Sequence, residues 1–385
     1  MHRHAVYIGA AIVLTAFNLR PAVASVGPVL PELQAELGLS GSLAAALTML
    51  PVLGFGLLAG VAPRLAGRFG LEPSLLLVSV VLGAALLGRV AGGSPELFLG
   101  TALAGGAIAV ANVLLPPLIK RDFAERSGTM MGIYSTTLSA SAAVAAGTTV
   151  PLSALVGLGW RGGLGAWSVP ALLAALVWIP LARKRTRPPP AAPETRRSLR
   201  RNALAWQVTG FFGIQALSFY ATLAWLPSIY QANGFSAASS GFLLGLAGLV
   251  QLPVTLVLPH FASRARHQIV YIVVATALIG AGLLGVLQAA TAAPYLWVTL
   301  IGIGQGSCFA LGLSLFVLRT RGVADAARLS AMAQGVGYVV AAFGPLLVGV
   351  LHDVTGAWTG PLLLLLLLVV PQLVLGALAG RARAV

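Results

Sequence analysis

The sequence has one cysteine and nine acidic residues in 385, and neither scarcity suits a protein bathed in water. Charged residues of both signs make up 9%, whereas a soluble domain carries roughly 25%. Cys308 falls inside an apolar run, which excludes an intramolecular disulfide and argues against a thiolate metal site. No serine-histidine-acid set, metal-spaced cluster or Walker motif occurs, so neither an enzyme nor an ATP-driven pump is indicated, and no metal or cofactor is expected. The acids are Glu32, Glu36, Glu72, Glu96, Asp122, Glu125, Glu194, Asp325 and Asp353, each at the end of an apolar run or between two. None stands at bilayer depth to exchange a cationic drug for a proton. The histidines, His2, His4, His260, His267 and His352, occupy similar end positions.

Apolar residues supply what is abundant: they make up 58% of the chain, and the mean hydropathy is +0.93. Run after run reaches the ~20 residues that cross ~30 Å of hydrocarbon, and Pro361 to Ala379 contains no ionisable side chain. A helix satisfies its own backbone hydrogen bonds, so repeated long runs imply an all-α polytopic membrane protein; no ~10-residue alternation suggests a barrel. Spans are expected near 5–31, 43–63, 72–92, 96–119, 129–155 and 163–182, then near 204–231, 238–260, 269–289, 294–318, 330–352 and 359–380. The first is too long for a signal-peptide core and is read as a retained helix. The domains are thus an N-terminal six-helix bundle, 1–182, a basic proline-rich linker, 183–203, and a C-terminal bundle, 204–385.

A net charge of +15 raises the question of nucleic acid, but the charges are distributed as a membrane topology requires. With twelve spans, every lysine and arginine except Arg20, Arg89 and Arg161 falls on the side of the two termini. That asymmetry places both termini in the cytoplasm of a multi-pass cell-membrane protein. The halves are also related: Leu30-Pro31 and Gly38-Leu39-Ser40 recur as Leu226-Pro227 and Gly234-Phe235-Ser236 at an offset of 196. Gly106, Leu115, Leu118 and Arg121 recur as Gly306, Leu315, Leu318 and Arg321 at an offset of 200. Twelve transmembrane helices in two pseudo-symmetric bundles follow.

Arg20 is the strongest single signal, because a guanidinium near the middle of a span costs about 2.5 to 3.5 kcal/mol even on lenient insertion scales. Either it is a fixed cation for an anionic solute in a water-accessible cavity, or helix carbonyls satisfy it structurally. Asn18 lies about 200° around a regular helix from Arg20, although Pro21 opens the helix locally. Asn112, Gln215, Tyr220 and Gln305 are the mid-membrane polar groups of spans 4, 7 and 10. Tyr134, Gln334 and Tyr338 lie nearer the cytoplasm in spans 5 and 11. These seven and Asn18 are candidate substrate ligands, with bonding between helices as the alternative. Trp225 and Tyr230 are read as interfacial anchors. Gly302-Ile303-Gly304-Gln305-Gly306 follows no strand and is read as a close helix contact rather than a phosphate loop.

Several segments carry a family likeness: Asn18-Leu19-Arg20-Pro21-Ala22 with Ser25-Val26-Gly27-Pro28, Pro63-Arg64-Leu65-Ala66 with Arg68-Phe69-Gly70, and Asn112-Val113-Leu114-Leu115-Pro116 leading to Lys120-Arg121-Asp122-Phe123. With Trp225-Leu226-Pro227 and Arg328-Leu329-Ser330-Ala331-Met332-Ala333-Gln334-Gly335-Val336-Gly337-Tyr338, they resemble the cyanate permease and 2-nitroimidazole transporter branch of the major facilitator superfamily. One departure is Arg64, which stands where the superfamily loop usually has an acid. The resemblance implies that superfamily's fold and small substrates, either anionic or planar and nitrogen-rich. The expected function is secondary active or facilitative transport of a small anionic solute, cyanate-like or a small organic anion, by alternating access with Arg20 at the centre. Export of neutral planar nitrogen heterocycles or other small drugs is the alternative. The expected partners are that solute and the lipid bilayer, with no nucleic acid, and the protein is expected to be a monomer.

Overall fold

The structure is a computed structural model that describes residues 2–183 and 199–385, so most of the expected linker lies outside the described residues. The described residues are 88% helical and contain no strand.

Span 1 is broken into α1 (His2–Asn18), α2 (Pro21–Ala24) and α3 (Val26–Leu37). Pro21 has no N–H to continue the ladder and crowds the residue before it, so Arg20 stands outside both helices at φ −107°, ψ −33°. Gly38, at φ 62°, ends α3 in the left-handed conformation that glycine adopts without penalty. Span 2 comprises α4 (Gly41–Leu58), capped by the Ser40 hydroxyl on Leu43 N, and α5 (Ala62–Phe69). Spans 3 to 5 are α6 (Leu71–Gly88), α7 (Ser94–Asp122) and α8 (Ser127–Val156), and span 6 is α9 (Gly159–Gly165) with α10 (Ser168–Ala182). The second half follows as α11 (Ala203–Ala232), α12 (Ala237–Arg264), α13 (Ile269–Ala289), α14 (Pro294–Leu318), α15 (Val323–Thr355) and α16 (Thr359–Ala379).

Eleven helical segments among the described residues are long and apolar enough to cross a membrane. The twelfth, α11, spans about 45 Å with its 30 residues. It falls outside that set because polar residues such as Gln215, Ser218, Tyr220 and Thr222 interrupt its apolar run, so a helix that carries two candidate ligands gives the weakest membrane signal.

The chain divides into two compact units. Unit 1 comprises Met1–Glu125, Thr137–Ala191 and Gly322–Ala331; unit 2 comprises Arg126–Thr136, Ala192–Arg321 and Met332–Val385. Within unit 1, α1 packs on α7 and α10, α4 on α7, and α6 on α7 and α10. Within unit 2, α11 packs on α14 and α16, α12 on α14, and α13 on α14 and α16. Each pairing in one unit maps onto the other by advancing six spans, so the sequence repeat is also a repeat of packing.

Small residues make these contacts close. A Cβ on Gly105 of α7 would lie 2.9 Å from Pro51 Cα of α4, and one on Gly306 of α14 would lie 2.5 Å from Gln251 Cβ of α12. Gly302 and Gly304 likewise face Ala247 and Ile279, so the glycine run of span 10 is the helix contact expected of it. Arg319, a loop cation in the topology count, is only 4% exposed; its Nε donates to Ala379 O at 2.7 Å and its Nη2 to Gly380 O at 3.0 Å. Tyr230 departs from the interfacial reading: it is fully buried in unit 2, with its hydroxyl 3.4 Å from Pro294 O.

Gly105→Val and Gly306→Val are expected to destabilise by about 1 to 3 kcal/mol each through overpacking, read as a lower melting temperature of the purified protein. Gly27→Ala, which places its methyl in open space, is expected to melt with wild type.

Candidate functional site

Arg20 is half-buried at the break in span 1, and its backbone carbonyl accepts from Val23 N and Ala24 N, starting α2. Asn18 turns elsewhere. It is 3% exposed, and its Nδ2 donates to Leu14 O at 2.7 Å and to Pro170 O of α10 at 3.0 Å, tying span 1 to span 6. Its Oδ1 has no partner, and with Thr15 and Ser79 the side chain lines a cavity of about 10 Å³, near the size that admits one water. The broken helix therefore does not bring the Asn18 amide to Arg20. Asn112 is buried in α7 of the same unit.

What holds the break is Arg89, a residue the sequence reading used only for topology. Its side chain is completely buried. Nη1 donates to Ala22 O of α2 at 2.9 Å, and Nη2 reaches Leu164 O of α9 at 3.2 Å and Ser25 Oγ, at the second break, at 3.4 Å. Gly100 of α7 makes the room, since a Cβ there would lie 2.5 Å from that of Arg89. A signal was present in the sequence, because Arg89 falls inside the expected third span.

At the far end of span 1, Glu32 Oε1 accepts from Trp160 N at 3.0 Å and Glu36 Oε2 from Trp160 Nε1 at 2.7 Å. Arg161 pairs with Glu36, donates to Gly92 O at 3.2 Å, and lies 4.2 Å over the Trp160 ring. The hydrogen bond from Arg161, then that from Trp160, holds the Glu36 carboxyl below its ordinary range. At the opposite end, Arg121 bonds Glu72 at 2.6 Å and Asp122 at 2.8 Å. Arg64 takes no acid there; it donates to Gly60 O at 3.3 Å. An ion pair thus still anchors this end, with Glu72 of α6 as its acid.

In unit 2 the structure unites two expected residues. Gln215 and Gln305 are 2% and 5% exposed, and Gln215 Nε2 lies 3.5 Å from Gln305 O. Gln305 Nε2 donates to Thr222 Oγ1 at 3.1 Å. Thr222 and the nearby buried Ser218, also on α11, were not singled out from sequence, because serine and threonine are common in helices and their roles depend on facing neighbours. Tyr220 is half-buried with its ring 5.4 Å from that of Phe219. Gln334 and Tyr338 of α15 are buried, with Tyr338 edge-on to Phe212 at 5.4 Å, and Tyr134 of α8 is fully enclosed. Cys308 is packed between α13 and α16, beside Thr276 at 3.6 Å and Gln372 at 3.4 Å. Among the described residues, no three histidine, cysteine or acidic side chains gather to hold a metal. Charge and hydrogen bonds are what these groups can offer a small molecule.

Residues 6–345 match the Major Facilitator Superfamily. The chain is 36% identical over 377 residues to the 2-nitroimidazole transporter of Escherichia coli (strain K12), covering 97% of this chain and 95% of that one. It is 31% identical over 354 residues to the cyanate transport protein CynX of the same strain, covering 90% of each. Among solved structures, the proton:xylose symporter XylE bound to 6-bromo-6-deoxy-D-glucose aligns with a TM-score of 0.73, covering 97% of this chain and 95% of that one. At 13% identity, that likeness is one of fold alone.

Arg89→Met leaves the carbonyls of Ala22 and Leu164 without their donor, each worth about 1 to 3 kcal/mol when buried and unmet. The variant is expected to melt several degrees below wild type, and Arg89→Lys, which lacks the fork, to recover only part of the loss. Because the folded-state pKa of Glu36 is depressed, its contribution is present above the unfolded value near 4.5 and fades as pH falls through the folded value. Glu36→Gln is therefore expected to melt slightly below wild type at pH 7 and together with it once the carboxyl is protonated; a gap that persists at low pH would contradict the assignment.

Proposed function

The chain belongs to the Major Facilitator Superfamily, and from that membership we propose that it moves a small anionic solute across the cell membrane by alternating access, with Arg20 as its anion-binding residue. The observation that carries this reading is the interruption of span 1 at Arg20. Secondary transporters build solute sites at such breaks in spanning helices, where backbone and side chains are released from the regular ladder. A guanidinium offers two parallel donors to a carboxylate or a linear anion. Asn112 in unit 1, and Gln215, Tyr220 and Gln305 in unit 2, are further side chains able to hydrogen-bond a solute. Tyr134, Gln334 and Tyr338, enclosed as they are, serve as supports. Both termini lie in the cytoplasm, as the distribution of basic residues requires.

The cyanate-transporting relative supports an anion. The 2-nitroimidazole relative favours a second reading, export of a neutral planar heterocycle, in which Arg20 donates hydrogen bonds without meeting a charge.

Purified wild type and Arg20→Gln are compared by thermal melting against small anions and neutral heterocycles at constant ionic strength. A ligand at 100 times its Kd adds about 2.7 kcal/mol. An anion that stabilises wild type but not a folded Arg20→Gln, and that enters proteoliposomes only with wild type, bears the proposal out. Stabilisation by neutral heterocycles alone, equal in both proteins, overturns the Arg20 anion site and selects the exporter.

A further inference from the structure

Gln215, Ser218 and Thr222 are spaced three and four residues apart, which puts them on one face of α11, with Gln305 of α14 against them. Two polar atoms on this face have no partner. One is the Gln215 carbonyl oxygen, and the other is the Ser218 hydroxyl. Both side chains are 2% exposed.

The orientation of Gln215 is set by its neighbour. Its Nε2 faces the carbonyl oxygen of Gln305, so turning the amide over would oppose two acceptors. Oε1 is therefore an acceptor with nothing to accept. Ser218 differs from Thr209 and Ser314 of the same unit, and the buried Ser240 hydroxyl of α12 is likewise unmet. Thr209 and Ser314 each donate to the carbonyl four residues earlier, at 2.7 Å, whereas the Ser218 hydroxyl makes no such bond. In a spanning helix, where lipid offers no hydrogen bonds, unmet groups of this kind are costly and need a partner brought from outside the chain.

We propose that the Gln215–Ser218 edge is a solute-recognition subsite that reads a hydrogen-bond donor. The solute presents an N–H or O–H to Gln215 Oε1, and Ser218 Oγ, which both donates and accepts, engages the adjoining atom. This rests on the transport reading above and narrows its substrate class to a small planar solute carrying a ring N–H or a hydroxyl. A bare linear anion satisfies Arg20 alone. The edge is shut in this conformation, as a solute-reading surface is during part of an alternating-access cycle.

The test uses two matched pairs of probes with the purified full-length protein: 2-nitroimidazole against 1-methyl-2-nitroimidazole, and 4-hydroxybenzoate against 4-fluorobenzoate. Binding is read by thermal shift and competition. Wild type is expected to prefer the donor-bearing member of at least one pair by about tenfold or more, since a site built to bond a donor rejects the analogue without it. Gln215→Met keeps the length and removes the acceptor; it is expected to bring that ratio close to one. Ser218→Ala is expected to lower the ratio less. Arg20→Gln should weaken both members of the anionic pair equally and preserve the ratio. Equal binding within both pairs, binding of none of the four probes, or an unchanged ratio in a folded Gln215→Met overturns the subsite and assigns the two atoms to water. If cyanate still binds through Arg20 in that case, the transport reading stands without the subsite. If Arg20→Gln loses no anion affinity while the donor ratio persists, the subsite stands and the anion site falls.

Discussion

Everything in this fold depends on one constraint: in hydrocarbon, each backbone N–H and C=O has to find its partner inside the protein. Most of the spanning segments, and the more polar α11, meet it by staying helical. Span 1 does not, because Pro21 and the kinks around it interrupt the ladder in mid-span. The interruption survives because the buried guanidinium of Arg89 binds Ala22 O, Ser25 and Leu164 O together. Arg20, half-buried at the break, owes its position to that support. The proposed contact with solute and the support that keeps the helix broken thus fall to two different arginines.

Duplication supplies the frame on which the break is mounted. The same five helix pairings recur in the two units, with α7 and α14 as their hubs. Glycines let these hubs approach α4 and α12 closely enough that even a methyl group at the contact meets backbone or Cβ atoms. Dispersion contacts over such seams replace the hydrophobic drive that lipid removes. The far and near ends of unit 1 are then fastened by charge, Arg161 with Glu36 and Arg121 with Glu72 and Asp122. The acids that are too few to energise a cation exchanger are placed as fasteners.

The legibility of the site followed the cost of burying each residue type. Arg20 stood out because a mid-span guanidinium is expensive, and Gln215 and Gln305 stood out as amides in spans; the structure joined the last two. Asn18 stood out for the same reason, yet it faces α10 and bonds Pro170 O. Arg89 was inside an expected span but near its end, where a long side chain can reach water, so its burial was not legible. Ser218 and Thr222 gave no signal, since a hydroxyl in a helix is ordinarily satisfied by its own backbone.

By itself the sequence determined the solvent, the helical class, the span count and the duplication, because each follows from composition or from spacing along the chain. The distribution of basic residues carried an expected orientation in the same way. Which polar atoms meet and which are left unmet was decided only by the tertiary structure. Residues 67 positions apart, such as Arg89 and Ala22, or 90 apart, such as Gln215 and Gln305, become neighbours only when their helices pack. A hydrogen bond reaches about 3 Å. No periodicity along a single helix encodes a distance that short to a residue on another one.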